Sequence, residues 1–152
     1  MYTDNLLKYS NYTHFVPCKV PFVMIVTSNL ACAATLRDAI YLQIHTHTLF
    51  AMNIHEALNI VRSLHPLAFV VASRLPDGDA LTFLAALEQR QYFQKTPFLI
   101  LKEDNDGCVK RAKEYGIHCI QFPKSTPTLL TMLTHYACKE QELCHRKRSR
   151  RY

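Results

Sequence analysis

Short apolar runs alternate with amphipathic stretches along most of this chain. Phe22 to Val26 (FVMIV) and Ala68 to Ala72 (AFVVA) are continuous and rich in β-branched residues, the pattern of strands buried on both faces of a parallel sheet. Ile44 to Phe50 alternates instead and predicts a more exposed second strand. Phe98 to Leu101, introduced by Pro97, and Ile117 to Phe122 predict a fourth and a fifth. Between the strands, apolar positions recur at helical spacing. Ala33, Leu36 and Ile40 form one stripe over a helix predicted from Ala31 to Leu42, with Asn29 as its cap. Ile54, Ala57, Leu58 and Val61 form another, opened by Asn53 and Glu56 in a capping-box arrangement and ended by His65-Pro66. Leu81, Leu84, Ala85 and Leu87 predict the inward face of a helix that starts at Asp79. A weaker helix from Asp104 to Tyr115 rests on Val109 and Ala112, with Gly116 at its C-terminal cap. Ser125 caps the last helix, which carries Pro127 in its first turn and runs through Leu130, Leu133 and Ala137 toward Leu143.

Five strands alternating with five helices imply right-handed crossovers and an α/β, doubly wound parallel sheet. Two strand orders satisfy that pattern. In either, the functional edge lies at the carboxyl ends of the strands. Here that edge holds Thr27 and Ser28 after the first strand, Ala72 after the third, Lys102 after the fourth and Pro123-Lys124 after the fifth.

Length and composition set the outer limits. The chain has 152 residues, nearly half of them apolar and only three of them glycine, which suits one domain with a substantial core. Residues 21–138 are expected to form it. Residues 1–20 lack periodicity and are expected to be an arm, docked by Tyr9, Tyr12 and Phe15. No window approaches the roughly 18 uninterrupted apolar residues of a membrane helix, and the N-terminus lacks a signal-peptide layout. A soluble, cytoplasmic protein is therefore expected. The net charge is +6. Residues 139–152 hold six basic residues against two acidic ones, so +4 of that charge sits in the last stretch. This stretch is expected to hold the end of the last helix and a basic tail, His145 to Arg151, that continues past it as a solvated end. Arg146, Lys147, Arg148, Arg150 and Arg151 are its candidate contacts to a polyanion. No helix-turn-helix or stacking platform accompanies them, so such binding would be non-specific and salt-sensitive.

The stretch LAFVVASRLPDGDAL, Leu67 to Leu81, carries a family likeness. An apolar run, two residues, Leu75-Pro76, a turn and the helix-capping Asp79 resemble the third strand and following loop of response-regulator receiver domains. Glu56-Ala57-Leu58 and Lys113 to Gly116 look like receiver sequence too, and the likeness extends from Pro21 to Cys138. It implies a flavodoxin-like sheet of order 2-1-3-4-5. It also implies a site that has lost its chemistry. The phosphoacceptor aspartate falls on Ala72, whose methyl group cannot form an acyl phosphate. The acidic pair that holds Mg²⁺ through carboxylate oxygens falls on Thr27 and Ser28. The switch hydroxyl after the fourth strand becomes Lys102, and the aromatic of the fifth strand becomes Ile120. The Lys-Pro pair appears reversed, as Pro123-Lys124. Lys102 is left to pair with Asp77 or Glu103, to mimic an activated state, or to bind an anion.

Other chemistries are poorer matches. His45 and His47 would share one face of the second strand, but no third metal ligand is evident. The six cysteines show no C-x-x-C spacing and are expected to be reduced. Ser28 and Ser73 lack a Gly-x-Ser-x-Gly elbow. Thr27-Ser28-Asn29-Leu30-Ala31 has hydroxyls but no glycine to bring backbone amides against a flavin phosphate. The expectation is a pseudo-receiver in signal transduction, with no enzymatic activity, no cofactor and no metal. It would act through a protein partner, such as a signalling kinase or regulator, and as a homodimer. Two alternatives are a regulator that dimerises through the domain and binds DNA through the tail, and a small-ligand or flavin-binding protein.

Overall fold

The computed structural model describes residues 21–89, 96–102, 107–122 and 124–149, with side chains omitted for 107–109 and 139–149. The main elements are β1 (Phe22–Val26), α1 (Leu30–Ile44), β2 (His47–Ala51), α2 (Ile54–Val61) and β3 (Ala68–Ala72). Two-residue strands β4 (Arg74–Leu75) and β5 (Gly78–Asp79) follow, then α3 (Ala80–Glu88), β6 (Phe98–Lys102), α4 (Gly107–Glu114), β7 (His118–Gln121) and α5 (Thr126–Ser149). The five long strands form one parallel sheet in the order β2-β1-β3-β6-β7. With β4 and β5 set aside, this is the expected 2-1-3-4-5 order, and five helices cover the sheet.

The sheet divides the core in two. On one face, Val23, Ile25, Val70, Leu99 and Ile120 pack against Ala33, Leu36 and Ile40 of α1 and Leu129, Leu130 and Leu133 of α5. On the other, Met24, Val26, Phe69, Val71 and Ile100 meet α2, α3 and Ala112 of α4. β1 and β3 are buried at every position because helices lie on both sides of them. The α1 stripe is as the spacing predicts.

Three differences from the sequence expectation bear on the site and the core. The alternating run was counted from Ile44, but α1 continues to Ile44 and β2 starts only at His47. Ile44 packs half-buried against the α1 core, and His45 ends the helix in the left-handed region (φ 55°), its N–H bonding the Tyr41 carbonyl at 2.9 Å. His45 is therefore a helix cap, and the two histidines do not share a strand face. In α3 the buried stripe is Ala80, Phe83 and Leu87, with Leu84 only half-buried and Ala85 exposed. Phe83 turns inward because its ring meets Phe69 edge-on at 5.6 Å. Finally, the α5 backbone is helical through Ser149, so Arg146, Lys147 and Arg148 belong to the helix instead of a tail beyond it. Arg150, Arg151 and the arm, residues 1–20, lie outside the described residues.

Candidate functional site

Strand register brings the expected site residues to one edge. Val26 pairs with Val71, so Thr27 and Ala72 leave β1 and β3 side by side. Ala72 pairs with Leu101 and Leu101 with Ile120, while Lys102 pairs with Gln121 one residue further along. Thr27, Ala72, Lys102 and Ile120 thus stand within a residue or two of the same level. Lys124 is exposed in the turn before α5, where Ser125 N–H bonds the Gln121 carbonyl at 2.7 Å. Pro123 lies outside the described residues.

The loop after β1 is a compact helix cap. Thr27 is 3% exposed; its N–H bonds the Ala51 carbonyl at 3.0 Å, and its Oγ1 accepts from Asn29 N–H at 3.2 Å. The Asn29 side chain in turn accepts from Cys32 N–H at 3.1 Å, the expected cap of α1. Ser28 is exposed beside it. The oxygens here are neutral hydroxyls already placed in a turn, a poor donor set for a hard divalent cation. Among the described residues, no group of three or more His, Cys, Asp or Glu side chains could hold a metal ion.

The loop after β3 proves to be a tie between helices. β4 and β5 pair antiparallel, Arg74 with Asp79 and Leu75 with Gly78, which presents Asp77 at the tip. The Asp77 carboxylate accepts from Ile54 N–H at 2.9 Å and His55 N–H at 3.1 Å, the two leading amides of α2. The next one, Glu56 N–H, goes to Asn53 Oδ1 at 2.8 Å. The capping box is not reciprocal, since the Glu56 carboxylate reaches Met52 N–H (3.4 Å). Gly78 sits at φ +155°, a conformation L side chains rarely adopt, and a Cβ there would also push on Ile54 Cδ1 at 2.9 Å. Asp79 caps α3 through Thr82 N–H (2.8 Å) and Thr82 Oγ1 (2.9 Å), and its second oxygen meets Arg111 of α4 at 3.1 Å.

The two carboxylates are held ionised. Burial pushes the Asp77 carboxyl up, but the amides of Ile54, His55 and Asp77 itself, with His55 nearby, outweigh it and leave its pKa below the ordinary value. For Asp79, burial likewise opposes, and Thr82, Arg111 and the Leu81 amide prevail, again lowering it. Sequence reasoning gave Asp79 its capping role and missed that of Asp77. A Pro-Asp-Gly turn was the available signal, yet it names no partner 23 positions away. Nor does Asp77 pair with Lys102, the expected partner: its carboxylate is turned to the first amides of α2, and the ion pairs among the described residues are Arg37–Asp38 and Arg111–Asp79. Glu103, the other expected partner, lies outside the described residues. Lys102 itself is half-buried. Next to Ala72, Ser73 is 0% exposed and its hydroxyl has no hydrogen-bond partner among the described residues. Its backbone is fully engaged, N–H to Leu101 and C=O from Ala80.

No family model and no curated protein matches the chain. Solved structures do. A putative response regulator from Chloroflexus aurantiacus J-10-fl superposes with a TM-score of 0.68 at 21% identity, covering 79% of this chain and 99% of its own. The receiver domain of an HD domain-containing protein from Pseudomonas fluorescens Pf-5 gives 0.65 at 21%, over 84% and 96%. The beryllofluoride-activated receiver domain dimer of NtrC4 gives 0.66 at 18%, over 78% and 98%. The fold is that of receiver domains. Nearly the whole length of each of these three finds a counterpart here.

Proposed function

We propose that this chain is a pseudo-receiver: a signal-transduction domain that works through protein contacts and does not depend on phosphorylation. The observation that carries the reading is Ala72 at the end of β3, beside Thr27 and next to Leu101. An acyl phosphate needs a carboxylate there and a divalent cation beside it. The position offers a methyl group, and the neighbouring loop offers hydroxyls. Asp77, the carboxylate nearest in sequence, is bound to the amides of α2. Receiver likeness supports signalling as the setting, with a kinase or a regulator as the partner class. Incubation with acetyl phosphate or phosphoramidate and Mg²⁺, followed by intact mass measurement, tests the chemistry. No stable gain is expected. A gain of one phosphoryl group that hydroxylamine removes would overturn the reading.

A second reading rests on α5. Its backbone carries Arg146, Lys147 and Arg148 on a helix instead of a loose end. Nucleic-acid association through that helix would show as DNA retention falling steeply with salt, about one unit of log-log slope per phosphate contacted. Retention unchanged after removal of residues 146–152 would refute it.

A further inference from the structure

We propose that residues 74–79 form a latch, one strap that ties α2 to α3 and α4, so that displacement of Arg111 on α4 is felt at the first amides of α2. The two carboxylates involved are close in sequence and far apart in what they hold. Only Gly78 separates Asp77 from Asp79, yet Asp77 accepts from Ile54 and His55 of α2, and Asp79 from Thr82 of α3 and Arg111 of α4. These three helices share one face of the sheet. The strand order puts α3 between the other two, so α2 and α4 stand two helix spacings apart, roughly 16–20 Å. Among the described residues, no other side-chain hydrogen bond or ion pair links α2, α3 and α4 to this loop or to one another.

A strap transmits displacement only if it is stiff. Arg74 pairs with Asp79 and Leu75 with Gly78 across a two-residue turn, and the ring of Pro76 fixes φ at the first of those two residues. The base is closed as well. Ala80 N–H bonds the Ser73 carbonyl at 3.1 Å, and Ser73 N–H bonds the Leu101 carbonyl at 3.2 Å. Leu75, 9% exposed, anchors the ribbon in the core on the side of α2 and α3. Asp77 therefore leaves α2 only if the ribbon bends or lifts, and lifting it pulls on Asp79. Two independent caps would respond one at a time. A stiff strap opens as a unit, and opening uncovers Ile54, which is 7% exposed with the strap in place. A partner that draws Arg111 away from Asp79 would thus loosen α2 without touching it, and one that holds α2 would favour the Arg111 contact by the same factor. The latch rests on these contacts and does not need the pseudo-receiver reading.

Native-state amide exchange on the full chain tests the latch, with core amides of β1 and β3 marking the rate of global unfolding. The amides of Ile54, His55 and Thr82 should exchange faster than that core and at similar protection. In Asp79→Ala, Ile54 and His55 keep their own acceptor, yet their exchange should speed up several-fold. In Asp77→Ala the remote reporter is Thr82 N–H, and linkage requires a factor of the same size there. Arg111→Glu sets a like charge against Asp79 and should speed Ile54 and His55 in the same direction. Asn29→Ala removes the cap of α1 on the opposite face of the sheet and should leave all three amides unchanged. Asp79→Asn keeps one acceptor oxygen and repeats the measurement, with a smaller rise, where Asp79→Ala does not fold. Remote amides that ignore the substitutions would make Asp77 and Asp79 independent caps and overturn the latch. So would a response to Asn29→Ala as large as that to Asp79→Ala, or none to Arg111→Glu. Exchange no faster than that of the core would mean that the strap never opens on its own, and would overturn it as well.

Discussion

Removing the Asp77 carboxylate should loosen α2 from the loop after β3. In Asp77→Ala, the N–H groups of Ile54 and His55 lose acceptors at 2.9 and 3.1 Å. Loss of a capping side chain costs about 0.5–2 kcal/mol, and loss of an anion at a helix N-terminus costs about 0.3–1 kcal/mol, part of the same quantity. Two amides are freed, the exposed one of His55 and the part-buried one of Ile54, and water takes over part of the bonding. About 1.5 kcal/mol follows, or roughly 5 °C in Tm for a domain of this size. Asp77→Asn keeps one acceptor oxygen and should lose about half as much. The pH dependence has a definite sign. The folded pKa of Asp77 lies below its unfolded value, so the unfolded chain binds the proton more tightly. The stabilisation is complete above the unfolded pKa and disappears as pH falls through the folded one. Thermal melts of wild type and Asp77→Ala should therefore differ at pH 7, begin to converge only below about pH 4, and meet once the pH has fallen past the folded pKa. Amide exchange at Ile54 and His55 should speed up in the variant. A Tm change under about 1 °C at pH 7, or a gap that persists in acid, would refute the capping role.

Asp79→Ala should cost about 1–2 kcal/mol by uncapping α3. Arg111→Ala should cost less than about 0.5 kcal/mol, because the guanidinium is exposed; equal losses in paired melts would count against this division. Ser73→Ala removes a buried hydroxyl that has no partner among the described residues, so stability should rise by about 1 kcal/mol; a fall of that size would mean that the hydroxyl is bonded. Self-association should occur without a trigger, through the face formed by α4, β7 and α5. Sedimentation over a concentration series should show dimer with or without phosphoryl donors, and a strict monomer, or a dimer only with donor, would refute that.

Much of the fold was legible because local and tertiary demands agree. Ala33, Leu36 and Ile40 are spaced for a helix and meet the sheet at that spacing. FVMIV and AFVVA are uniformly apolar because helices cover both faces of β1 and β3. Legibility failed where two periods overlap. Ile44 suits a strand alternation and a helix face equally well, and the choice was made by His45 adopting the left-handed conformation. It failed again in α3, where Leu84 and Phe83 are both apolar and the rings of Phe69 and Phe98, far along the chain on either side, select Phe83. At the edge of the sheet, the sequence order alone puts Thr27, Ala72 and Lys102 at strand ends. It does not say what Asp77 touches, since that contact depends on where α2 begins relative to a loop far along the chain.

The receiver-like stretch from Arg74 to Asp79 therefore serves the fold whatever becomes of its chemistry. Asp77 holds the first amides of α2, Gly78 lets the ribbon approach Ile54, and Asp79 caps α3 while meeting Arg111 of α4. None of these contacts passes through residue 72. A carboxylate at that position could be replaced by a methyl group while two helix N-termini stayed satisfied. The reverse does not hold. Replacing Asp77 or Asp79 would leave first-turn amides without acceptors at the edge where β1, β3 and β6 end. Under the pseudo-receiver proposal, Pro76-Asp77-Gly78-Asp79 would be needed for these contacts and an acidic residue 72 would not. Likeness in this loop is thus evidence for the fold, and the residue at the strand end carries the question of phosphorylation.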